Sequence, residues 1–380
     1  MKRKRIWQKG FLFLLFCLWF AFPVYAAENA EEFYAEQYKL SGAEELTDNT
    51  PDSVKEYFEQ NDIDPADSSW VEAFSVENVF THIRAFLRDG MKTPLKSGAG
   101  VMGIILITAA LSSLEQKNSA VKTAVYAAAI ASAAAVAASL FGVIHAATDA
   151  LKGVGTFMLS FVPVFAVIVA ASGAAVTSVS MSALLLTAAQ AVTTFSTFVV
   201  SPLMSGYLAV SISSAVSPMV KRSGVAEAIK KLALWLMGFI SAVFVGVLGI
   251  QTAVNSSADT VSVKTAKFII GSAVPVAGGV LSEALTTVTA SMGLLRSSVG
   301  IYGVVVCLLT LLPLLMEILL WRVTLTVCAA LSDLFALPQL SGILKAFDAV
   351  LSVLAGIILL VGAMFIICLA VVISAGRTAS

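Results

Sequence analysis

Apolar residues crowd the last three quarters of this chain into ten runs, at about 98–114, 121–144, 154–175, 181–200, 203–216, 232–254, 268–290, 299–320, 324–337 and 349–374. Most reach the roughly 20 residues that a helix needs to cross the hydrocarbon of a bilayer. The pattern predicts an all-α fold, a polytopic transmembrane helix bundle over residues 98–380. The runs at 98, 203 and 324 are short, so between seven and ten spans are expected.

The chain ahead of the bundle reads differently. Residues 1–26 form a signal peptide by pattern: Lys2, Arg3, Lys4, Arg5 and Lys9 are the basic end, 11–22 the apolar core and Val24-Tyr25-Ala26 the small-residue cleavage site. An uncleaved anchor with the same basic end leaves residue 27 on the same, extracytoplasmic side. Residues 27–97 make an acidic extracytoplasmic region. Its first part, to about residue 70, contains the breakers Thr50-Pro51-Asp52 and Asp64-Pro65 and is expected to be partly ordered at most. Over 75–89, Val79, Ile83, Phe86 and Leu87 recur at helical spacing opposite Arg84, Arg88 and Asp89, and Gly90 closes the helix. Such a juxtamembrane helix lies on the membrane or on a partner, with Lys92 and Lys96 among lipid headgroups.

Composition sharpens the picture. At 58% hydrophobic and 13% charged, lipid must be the main solvent, since soluble domains usually carry about a quarter charged residues. Net charge is zero, yet residues 27–97 hold 16 of the 24 acids and six basic residues, so the ectodomain is acidic. No basic tract with interleaved aromatics lies beyond the N-terminus, which leaves nucleic-acid binding without support. Lys221-Arg222 and Lys230-Lys231 make the most basic loop of the bundle and place it in the cytoplasm. Cys17 lies in the signal segment; Cys307, Cys328 and Cys368 sit in apolar runs without metal-ligand spacing and read as small buried hydrophobes.

Ala127, Ala131, Ala135 and Ala138 exemplify the small residues that let helices approach closely in lipid. Two stretches also match in order. Ser160-Phe161-Val162-Pro163-Val164 pairs with Ser272-Ala273-Val274-Pro275-Val276, Pro202-Leu203 with Pro313-Leu314, and Gly238-Phe239-Ile240 with Gly356-Ile357-Ile358. They suggest repeats over 154–254 and 266–374, parallel if the short runs cross the bilayer and inverted if they lie flat.

Pro275, Gly278 and Gly279 interrupt an apolar run that also carries Glu283. A helix broken there exposes backbone groups that lipid cannot satisfy, so it faces protein or a water-filled cavity, with Pro163 as its counterpart; a packed proline kink is the alternative. Ionisable groups at membrane depth cost about 2.5–3.5 kcal/mol each. Glu283, Glu317, Arg322 and Asp333 therefore need partners or water, although Glu317 and Arg322 also fit a membrane boundary with Arg322 snorkelling. His82 and His145 show no chemical partner in the pattern. The chain has no GxxxxGK[ST] loop, HExxH pair or GxSxG turn, so neither an enzyme nor a cofactor or metal site is expected.

The segment Lys267-Phe268-Ile269-Ile270-Gly271-Ser272, followed by Val274-Pro275-Val276, Gly278-Gly279, Leu281-Ser282-Glu283-Ala284 and Gly300-Ile301-Tyr302-Gly303, resembles the stage III sporulation protein AE family of endospore-forming Firmicutes. The order of signal segment, acidic ectodomain and polytopic domain agrees, and the family pattern favours Asp where this chain has Glu283. The resemblance implies a subunit of the channel-like complex that joins mother cell to engulfed forespore, sited in the mother-cell-derived membrane with its ectodomain in the intermembrane space. The implied partners are the other membrane subunits, a cytoplasmic ATPase and a forespore protein. A non-conducting scaffold and a stand-alone secondary transporter are the alternative functions.

Overall fold

The computed structural model describes residues 30–61, 63–67, 70–73, 84, 92–114, 119–216, 228, 231–233, 235–236, 238–240, 242–251, 254, 259, 265 and 278–374. The signal segment, Lys221, Arg222, Lys230, Pro275 and, Arg84 apart, the amphipathic stretch 75–89 lie outside them. All regular structure among the described residues is helical. A small head comprises α1 (Ala30–Leu40), a 3-10 turn (Ala43–Leu46), α2 (Asp52–Gln60) and α3 (Trp70–Ala73). The bundle comprises α4 (Lys92–Leu114), α5 (Ser119–Ala171), α6 (Ala175–Phe195), a π turn (Ser196–Val200), α7 (Ser201–Val216), α8 (Lys231–Gln251), α9 (Gly278–Leu334) and α10 (Pro338–Ser374).

Among the described residues, six helices are long and apolar enough to cross a membrane: Lys92–Ala110, Ile130–Ala171, Ala175–Val210, Lys231–Gln251, Ser291–Leu334 and Pro338–Ser374. Within the described residues the apolar runs merge into fewer helices because polar interruptions do not end helices. His145 to Gly153 is rich in good helix formers, so the runs at 121 and 154 fuse into α5, of 53 residues. The runs at 299 and 324, with the end of the run at 268, fuse into α9, of 57 residues. The run at 203 continues α6 through the π turn. There the Ser201 N–H reaches back to the Ser196 carbonyl, and the extra residue relieves the clash that Pro202 imposes on the preceding turn. At 1.5 Å per residue α5 and α9 are about 80 and 86 Å long, far more than the ~30 Å of hydrocarbon.

Two antiparallel hairpins form the core. Between α5 and α6 Gly173 takes φ 91° and the Ala174 N–H bonds the Val169 carbonyl at 3.2 Å. Between α9 and α10 Ala336 takes φ 54° and the Leu337 N–H bonds the Ser332 carbonyl at 2.9 Å. Both are helix-ending six-to-one closures. The left-handed conformation, free for glycine, costs Ala336 on the order of 1 kcal/mol.

Contacts fix the register. Arg296 donates to the Ser172 hydroxyl at 3.0 Å, and Gly300 and Gly303 lie against Phe165 and Phe161, so α5 runs antiparallel to α9. Along α10, Ile373 faces Gly300, Gly362 faces Leu311 and Asp348 meets Arg322. Gly155 lies against Thr193, so α6 runs parallel to α9.

The head corrects the expectation of partial order. Tyr34, Tyr38, Tyr57, Phe58, Trp70 and Val71 are buried, enough apolar area to offset the cost of ordering a short acidic segment.

Candidate functional site

The head docks on one stripe of α9. Ser291, Leu295, Ser298 and Tyr302, spaced by four, three and four residues, share a helix face. Gln37 Nε2 donates to Ser291 at 3.0 Å. Ser298 accepts from the Tyr34 hydroxyl at 2.8 Å and from Trp70 Nε1 at 3.0 Å. The Thr50 and Tyr302 hydroxyls lie 2.5 Å apart. Around these bonds Phe58, Trp70 and Phe157 each pack their rings on Tyr302, with centroids 5.5, 6.4 and 6.2 Å away. Phe157, Phe161 and Phe165 continue the aromatic column along α5. Beside it a groove of about 330 Å³ is floored by Phe58, Ile63, Pro65 and Tyr302 and rimmed by Asp48, Glu59, Asp64 and Lys55.

Burial pushes the Tyr34 hydroxyl up to about 12, against the bond to Ser298 that opposes the rise. Burial also raises Tyr38 and Tyr57. A tyrosine raised in the folded state contributes stability that is complete below its free value near 10 and is lost as pH climbs towards 12. For Tyr34 the loss is about 2–3 kcal/mol. Alkaline titration of the full chain in detergent should therefore show a cooperative rise in tyrosinate absorbance above pH 11, coincident with proteolytic release of the head. Uniform titration near pH 10 with the head still protected would contradict this docking.

Two of the candidate intramembrane charges, Arg322 and Asp333, are paired. Arg322 Nε donates to Asp348 Oδ1 at 2.8 Å, both about a quarter exposed. Lys345 meets Asp333 at 2.7 Å on the surface of the α9–α10 hairpin. Glu317 is half-buried on α9. Gly278 and Gly279 are the first described residues of α9, and the Pro275 break expected ahead of them lies outside the described residues. Glu283 rides on the second turn, its side chain outside what the structure describes. Pro163 lies on the exposed face of α5 and does not break it.

The model of one family, stage III sporulation protein AE, matches residues 68–376. The chain belongs to that family. Stage III sporulation protein AE of Bacillus subtilis (strain 168) is 27% identical over 235 residues, 62% of this chain. The match spans 59% of that relative's length. No solved structure matches. The chain is thus a multi-pass, all-α membrane protein of a sporulation family.

The family resemblance carried by Gly300, Tyr302 and Gly303 falls where the head, α5 and α10 converge on α9. An added Cβ at Gly300 would collide with Ile373, and one at Gly303 would lie 2.7 Å from Phe161. Sequence reasoning missed Asp348, Lys345 and Asp259. Asp348 and Lys345 complete pairs whose other halves, Arg322 and Asp333, stood out in the sequence at membrane depth. The buried Asp259 carboxylate accepts the Val176 N–H at 2.8 Å and also the Thr177 N–H and hydroxyl. It caps α6 across 83 residues, and a lone acid in a polar linker gives no local sign of that.

Proposed function

We propose that this protein is a membrane subunit of the sporulation transport complex linking mother cell and forespore, with its bundle forming part of the passage through the mother-cell-derived membrane. Membership in the sporulation family is the observation that carries this. The charged residues paired inside an otherwise apolar bundle and the lack of any ATP-binding motif in the sequence agree with it. The partners are the other membrane subunits, the cytoplasmic ATPase and a forespore protein reached by the acidic ectodomain.

The passage runs between subunits. The cavity between α5, α6 and α10, lined by Val162, Phe165, Met181 and Val372 among others, holds about 10 Å³, barely room for one water. That packing also favours a second reading, a scaffold that assembles the complex without conducting. The repeats 154–254 and 266–374 are part of the proposal. Matched helices α6–α7 and α9 run the same way, which supports a parallel duplication.

Glu283→Ala and Pro275→Ala separate the two readings. The conducting role expects arrested spore maturation with a correctly assembled complex; normal maturation in both variants leaves only the scaffold.

A further inference from the structure

The head and the helix that follows it touch α9 at two levels. The head sits on Ser298 and Tyr302. The start of α4 sits lower, with Gly98 against the Thr324 methyl and its carbonyl 3.7 Å from Cys328 Sγ. Ser298 and Thr324 are about 39 Å apart along one continuous helix. The helix that holds Gly98 begins six residues earlier, at Lys92, about 9 Å nearer the head, and leads into the turn-side start of α5; a chain entering the ~30 Å of hydrocarbon from the head's side at Lys92 leaves the part of α9 above that level outside the membrane.

Charge placement agrees. Because α5 runs antiparallel to α9 with Phe161 at Gly303, Asp149 lies about 18 Å from that level towards the α9–α10 turn, at the depth of Leu315. His145, Asp149 and Lys152 share one exposed face of α5, and the Asp149 side chain is 74% exposed, 4.0 Å from Lys152. A carboxylate so exposed does not face lipid tails. Between this belt and the Asp333–Lys345 pair lie about 18 residues of α9, or about 27 Å.

Leu106, Ile107, Ile130, Val323 and Val327 are exposed on the turn side of the belt. On its head side α5 and α6 expose Val167 and Val179, and α6 also presents the polar Thr187, Gln190 and Thr194. The apolar residues of α9 and α10 at that height, such as Val306, Cys307, Phe365 and Leu369, are buried against neighbours, and a helix apolar all round is one that sits in a core.

We propose that the bilayer grips only the half of the bundle between the His145–Lys152 belt and the α9–α10 turn. The other half stands outside the membrane as a stalk that carries the head. From Asp149 to Ala171, α5 alone projects about 33 Å. In this arrangement the α9–α10 turn and the basic loop after α7 share the cytoplasmic face, and the Arg322–Asp348 pair is sealed at hydrocarbon depth. The inference rests on export of the head, and within the proposed complex the stalk would carry that head towards the opposite membrane.

Cysteine labelling of the full chain in protoplasts of vegetative cells tests it, because Cys307, Cys328 and Cys368 are buried. A membrane-impermeant maleimide should label Glu45→Cys on the head and Gln190→Cys on the stalk at comparable rates. Ile107→Cys and Val327→Cys should react about tenfold or more slowly until detergent is added. Labelling of Glu45→Cys with Gln190→Cys protected like Ile107→Cys would put the bilayer around the stalk and overturn the proposal. If Glu45→Cys reacts only in opened cells, export of the head has failed and the proposal falls with it.

Discussion

Gly303→Leu is expected to unfold the bundle more readily than any other single change considered. A Cβ alone at this position would stand 2.7 Å from Phe161 Cζ and about as close to both flanking ring carbons, and leucine adds three carbons beyond that. Phe161 has nowhere to move, held between Phe157 and Phe165 at centroid distances of 5.4 and 5.1 Å. Gly300, one turn away, is as tightly closed by Ile373 and Phe165. Overpacking a tight core costs about 1–3 kcal/mol, and the larger figure applies where both sides are rigid. The loss also strikes the neighbouring Tyr302, so the head should loosen together with the helix contact. Heating the detergent-solubilised protein with a thiol-reactive dye reads this directly, since Cys307, Cys328 and Cys368 are buried and react only on opening. Gly303→Leu should melt several degrees lower, at about 2–4 °C per kcal/mol, and adding Phe161→Ala should restore part of the loss. A melting curve like that of the parent would show that the α5–α9 contact is not as close as described.

What the sequence made legible follows from how local each signal is. Apolar runs, the acidic character of residues 27–97 and the small residues of α5 are properties of neighbouring positions, and they led correctly to a membrane helix bundle. Helix ends were misplaced where polarity and helix propensity disagree: His145, Asp149 and Lys152 looked like a loop between spans, yet nothing among them stops a helix. Proline alone does not mark a helix end either. Pro163 lies inside α5, and among the described glycines Gly42 and Gly173 mark turns by their positive φ. Of the charges, Arg322 and Asp333 were visible as anomalies in apolar surroundings, but their partners 26 and 12 positions away were not. Pairing depends on the register of two long helices, which no local pattern encodes. The head was underestimated because its acids dominate the composition, whereas its buried aromatic residues decide whether it folds.

Arg322→Met should destabilise the protein by about 2 kcal/mol, and Asp348→Leu by a similar amount. Removing one partner of a fully buried pair costs about 3–5 kcal/mol because the remaining charge is stranded. Here both side chains keep about a quarter of their surface exposed, which lowers the expectation. The double variant Arg322→Met with Asp348→Leu strands nothing and fills the gap between α9 and α10 with apolar volume, so it should recover most of the stability lost in either single change. The Lys345–Asp333 pair, about half exposed, is the internal control: Lys345→Met should shift stability by no more than about 0.5 kcal/mol. Thermal melts of the four variants complete the double-mutant cycle. Additive losses at Arg322 and Asp348, or a loss at Lys345 as large as theirs, would show that the inner pair is not the one sealing the two helices together. With coupling confirmed, the charge that lipid penalises becomes the reason α9 and α10 keep a single register, since sliding either helix by one turn would leave both groups unpaired.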